Sequence, residues 1–118
     1  MKSRKKTFKI QPVGAWVNVV LTNNIAEYRQ WMTDKLGFPS VGDLAQGADE
    51  FHTWYYDKYP GQNWILLESN SSLNVIAHEV NHASETIDDY FMINSREFRA
   101  CLQGYLTDEI FKFVNKKK

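Results

Sequence analysis

Trp64-Ile65-Leu66-Leu67-Glu68-Ser69-Asn70-Ser71-Ser72-Leu73-Asn74-Val75-Ile76-Ala77-His78-Glu79-Val80-Asn81-His82 holds the change of period that decides the fold. Residues 64–68 form a run of strand length, apolar up to Glu68, and residues 69–72 are a cluster of turn and helix-capping types. Beyond them the apolar positions Leu73, Ile76, Ala77, Val80, the small Ser84, Ile87 and Phe91 recur at i, i+3, i+4, i+7. That spacing predicts a helix over 73–90. At about 100° per residue, His78, His82, Glu85 and Asp89 fall on the opposite face, with Glu79 at the boundary. One face is thus anchored in a core while the other carries potential ligands.

Within this helix, His78-Glu79-Val80-Asn81-His82 reads as H-E-x-x-H. Two histidines four residues apart project from one helix face about 6 Å apart, a separation that suits two nitrogens on one zinc ion. The adjacent Glu79 is then placed as general base towards a water activated by the ion. The bland alternative is a solvated polar face, which periodicity alone does not exclude. A third ligand weighs against it. Asn94-Ser95-Arg96-Glu97 opens a second helix, with apolar positions Phe98, Cys101, Leu102, Tyr105, Leu106, Ile110 and Phe113. An antiparallel return of that helix would carry Glu97 over the histidine face, completing a set of two His and one Glu. The competing role for Glu97 is structural, because Asn94-x-x-Glu97 has the spacing of a capping box. If Glu97 is not the ligand, the search passes to Glu85, Asp89 or Cys101. Gly104 shares the Glu97 stripe, and a helix-interior glycine there would let the two helices approach closely.

These residues carry a family resemblance. Val75-Ile76-Ala77-His78-Glu79-Val80-Asn81-His82-Ala83, followed by Glu97-Phe98-Arg99-Ala100-Cys101-Leu102-Gln103-Gly104-Tyr105-Leu106, resembles the small zincin-like metallopeptidases of bacteriophages and prophages. Those are distant relatives of the SprT-like and ImmA/IrrE-type proteins. The resemblance covers the chain from about Trp64 onward and departs at Cys101, where an aromatic would follow Ala100. It implies His78, His82 and Glu97 as zinc ligands and Glu79 as the base. It also implies a peptide or protein substrate, or a phage or host protein partner. The setting would be the host cytoplasm, or the virion if the chain is a particle component.

Composition fits one small domain: 118 residues, 43% hydrophobic and 14% aromatic. No apolar run reaches membrane-spanning length, and the N-terminal residues lack the apolar stretch of a signal peptide. The single cysteine, Cys101, excludes an internal disulfide and fits a reducing compartment; its core-edge position reads as a buried structural thiol. Net charge is zero but segregated. Lys2, Arg4, Lys5, Lys6 and Lys9 at one end and Lys112, Lys116, Lys117 and Lys118 at the other hold nine of the 14 basic residues. The body between carries all 14 acidic residues, a formal −9. With little aromatic interleaving, the ends read as solvated basic tails over 1–9 and 115–118, and nucleic acid is disfavoured as a partner.

The first half is plainer. Ala15-Trp16-Val17-Asn18-Val19-Val20-Leu21 reads as a strand, and Thr22-Asn23-Asn24 caps a helix over 25–36 that Gly37 and Pro39 close. A loop over 38–49 leads to a strand at 51–56, and Asp57-Lys58-Tyr59-Pro60-Gly61-Gln62-Asn63 turns into the strand at Trp64. His52 reads as a packed or surface residue. The expectation is a single α+β zincin-like domain over 10–114. Its small twisted sheet of about three strands packs on three helices in the order β-α-β-β-α-α, with zinc between the last two helices. Residues 64–68 would align substrate if they lie at a sheet edge. Tyr90 and Tyr105 are the available oxyanion donors, though core packing is the simpler role for both. The rival is a non-catalytic phage structural or host-factor-binding protein built on the same fold.

Overall fold

A computed structural model describes residues 2–11, 14–36, 48–52, 62–69 and 71–116 of the chain. Its elements are β1 (Ser3–Ile10), β2 (Ala15–Thr22), α1 (Ile25–Leu36), β3 (Ala48–His52), β4 (Gln62–Glu68), α2 (Leu73–Tyr90) and α3 (Arg96–Asn115). The strands form one mixed sheet in the order β1-β2-β4-β3. β2 and β4 run parallel at its centre, and an antiparallel strand flanks each. The architecture is α+β with three helices, as the periodicities indicate, but with four strands rather than three.

The added strand corrects the reading of the N-terminal residues. Residues 3–10, taken as a solvated basic tail, pair in register with β2 from Ser3 opposite Thr22 to Ile10 opposite Ala15. Phe8 and Ile10 supply the anchor; both are buried in the main core, while Lys5, Lys6 and Lys9 stay exposed. Two apolar residues on one side of an edge strand suffice for pairing, and exposed lysines are usual there.

Alternation in the central strands builds a core on each face. Val17, Val19 and Leu21 of β2 and Ile65 and Leu67 of β4 meet Ile76, Val80 and Ile87 of α2 and Leu102, Leu106 and Ile110 of α3. The opposite face carries a smaller cluster in which Val20, Trp64 and Leu66 pack on Ile25, Tyr28 and Met32 of α1. Burial of the Tyr28 hydroxyl on this side raises its pKa. Two further corrections concern β3 and β4. β4 is internal, so the edge next to it belongs to β3. That strand begins at Ala48, earlier than the predicted start at Phe51, and residues 53–56 of the predicted strand lie outside the described residues. Among the described residues no helix is long and apolar enough to cross a membrane.

The α1 and α2 boundaries match the periodicity, and caps explain why. Asn24 Oδ1 accepts from Glu27 N at 2.9 Å, and Ser72 Oγ accepts from Val75 N at 3.3 Å. α2 ends in a Schellman motif: Met92 N donates to Asp89 O and Ile93 N to Asp88 O. Met92 therefore sits at φ 56°, where glycine is favoured, and it is 85% exposed. A left-handed residue with a Cβ costs on the order of 1 kcal/mol. Met92→Gly is expected to stabilise the fold by about 0.5–1 kcal/mol, read as a higher midpoint in urea with an unchanged slope.

Asp88 locks the same turn from inside. Its buried carboxylate accepts from Ser95 N at 3.2 Å and lies 3.2 Å from Arg99 Nε. Asn94, at φ 51°, completes the reversal, and Ser95 rather than Asn94 caps α3, its Oγ accepting from Phe98 N at 3.2 Å.

Candidate metal centre

On α2 the apolar stripe faces the sheet, which turns His78 out to solvent and leaves His82 partly covered. The two imidazoles stand edge to face with ring centroids 4.5 Å apart. Glu79, at the boundary in the helical projection, is only 5% exposed and so belongs to the buried side of the helix. Its Oε2 lies 3.9 Å from His82 Nδ1, beyond a direct hydrogen bond. One ligand atom from each of His78, Glu79 and His82 falls within 4.8 Å of the other two, an arrangement able to hold a metal ion. Two imidazoles beside a carboxylate fit zinc by donor chemistry. The surrounding charge favours a cation as well, because α2 carries Glu79, Glu85 and Asp89, besides Asp88 that pairs with Arg99, and no lysine or arginine.

No protein-family model, curated protein or solved structure matches this chain. The reading of the site rests on the chemistry of these three side chains.

The structure does not bring Glu97 to the group. α3 packs along the flank of α2 that carries Leu73 and Ala77, where these residues and Ala100, Gln103, Gly104 and Phe111 line a shallow groove. His78 lies about 100° around the helix from Ala77, so a residue on α3 meets a different side of α2. The ion would therefore sit beside α2, away from α3, and not between the last two helices as the sequence suggested. Glu97 does not form the alternative capping box either, since Ser95 is the N-cap; its Oε1 lies 3.7 Å from Cys101 Sγ on the exposed face of α3.

Three neighbouring expectations change with it. Gly104 has open space where a Cβ would stand, so close helix approach does not account for it. Cys101 is exposed and is not a buried thiol. Tyr90 and Tyr105 are 44% and 49% exposed, so neither is a core residue. Glu85 and Asp89 are exposed on α2 and fall outside the three-residue group, and the side chain of His52 lies outside the described residues. What the periodicity missed was the burial of Glu79. The signal was its boundary position next to Val80 and Ala83, which the sheet covers.

A direct consequence concerns Glu97→Gln. With the carboxylate outside the histidine group, zinc affinity measured by competition with a chromophoric chelator is expected to stay within about twofold of wild type. A loss of tenfold or more would mean that α3 approaches the site when metal binds.

Proposed function

We propose that the chain is a zinc-dependent metallopeptidase of zincin type, in which His78 and His82 hold the ion and Glu79 is the general base. One observation carries this reading: the buried Glu79 carboxylate lies beside the two adjacent imidazoles on one turn of α2. A bound zinc would polarise the scissile carbonyl and lower the pKa of water towards 7. The chain's own part is proton handling. Glu79 Oε2 accepts the proton of the attacking water and returns it to the leaving amine. Its burial limits competing solvation of the carboxylate and holds the side chain in one place beside His82. Among the described residues β3 pairs with β4 alone, and its other edge, near α2, offers main-chain groups on which a peptide would align as an added strand.

The test is cleavage of a broad peptide library by protein loaded with one equivalent of zinc. Cleavage should stop on chelation and return when zinc is restored. A zinc-loaded protein that cleaves nothing would sink the peptidase reading.

The second reading, a non-catalytic phage structural or host-factor-binding protein, has its own observation. Among the described residues no third protein ligand joins the histidines beyond Glu79. If Glu79 itself ligates, no base remains in the group, and the metal would be structural.

A further inference from the structure

The two basic ends of the chain converge. β1 forms one edge of the sheet, and the last turns of α3 lie against it, with the Arg4 guanidinium 5.0 Å from the centre of the Phe113 ring. Between them runs a groove of about 740 Å³ lined by Arg4, Lys5, Lys6, Glu109, Lys112, Phe113 and Lys116. Arg4, Lys6, Lys112 and Lys116 present their charges here against Glu109, a formal +3 on a chain whose net charge is zero, while the Lys5 ammonium lies 5.5 Å from the centre of the Trp64 ring on the other face of the sheet.

The cations form two rows. Arg4 and Lys6 stand two residues apart on β1, about 6.6 Å along the strand and on the same side. Lys112 and Lys116 are one helical turn apart on α3, about 6 Å. Lysines on an edge strand guard it against pairing with other chains, which accounts for the first row. The helix row protects no edge, and Lys112 within it is paired with Asp108 and Glu109 on its own helix. The side-chain hydrogen bond to Asp108, 3.1 Å away, is the main cause of a raised Lys112 pKa, and the charge of Glu109 at 3.4 Å adds to it. Lys112 thus stays charged.

We infer that this groove binds the phosphate backbone of a single-stranded nucleic acid, laid between the β1 row and the α3 row. A bilayer is a poorer match: the surface is concave, and its one aromatic, Phe113, is buried beneath Arg4. The groove runs between one strand and one helix, a single line for one phosphate backbone. With no ring free to stack on bases, recognition is electrostatic and independent of sequence, and affinity falls steeply with salt.

The experiment is fluorescence anisotropy of a labelled mixed-sequence oligonucleotide of about 20 nucleotides at about 50 mM salt. It uses the full chain with chelator present, so that the site on α2 plays no part. Saturable binding is expected, with a negative log–log salt slope. Lys6→Gln with Lys116→Gln should weaken it about tenfold or more and reduce the slope by about 1.4. Glu109→Gln removes the opposing charge and should tighten binding severalfold, an outcome that misfolding cannot mimic. Lys35→Gln on α1, away from the groove, should change nothing. The inference is overturned by absence of binding at low salt. It is equally overturned by equal loss in the α1 variant, by unchanged affinity in both groove variants, or by binding to phosphatidylserine vesicles without binding to the oligonucleotide.

Discussion

Zinc binding at about one ion per chain is expected to disappear when His78 and His82 are both replaced by alanine. Each substitution removes a nitrogen from a pair whose rings stand 4.5 Å apart, and no other histidine lies in α2 or α3. Partners that merely orient a zinc ligand cost about 10–100-fold in affinity when removed. Loss of one ligand should exceed that range, and loss of both should leave no stoichiometric site. The fold should survive, because His78 is exposed and His82 half-covered, with neither in the core clusters. Elemental analysis of protein purified without chelator gives the answer. Full zinc in the double variant would remove the centre from α2.

Glu79→Gln separates enzyme from scaffold. Glutamine keeps the shape of the side chain and can still hydrogen-bond, but it cannot accept a proton from water. If Glu79 acts as base, turnover should fall by about 10²–10⁴ or more while zinc content stays near wild type. If Glu79 is a ligand instead, zinc affinity should fall with it, since a neutral amide replaces a carboxylate. Measuring metal content and turnover on the same samples distinguishes the two.

Much of this was legible before any coordinates. The periodicity of α1 and α2 located both helices to the residue, because one apolar face and one polar face leave a single workable orientation and Asn24 and Ser72 mark their starts. The facing imidazoles followed from i, i+4 spacing alone. β1 was not legible, because its pattern is mostly charged and only Phe8 and Ile10 report that a sheet lies beneath. The place of Glu97, outside the histidine group, was not legible for another reason. Sequence period fixes which residues share a face of one helix, but the side from which a second helix approaches depends on packing. Here the Asp88–Ser95–Arg99 clasp sets α3 along the Leu73 and Ala77 flank, a relation between helices that no single-helix pattern contains.

The packing of β1 against α3 also has a kinetic side. Phe8 and Ile10 share a core with Leu102, Leu106 and Phe113, so the first strand finds its cover only after the last helix exists. The parallel pairing of β2 with β4 likewise spans the intervening α1 and β3. Contacts between such distant parts of a chain make folding slow, because loop closure must precede the reward. During synthesis the β1–β2 hairpin can form early, yet its helix-facing side stays bare until α2 and α3 emerge. Through that interval the lysines of β1 keep one emerging chain from adding to another, so the same charges that line the finished groove also guard the unfinished fold.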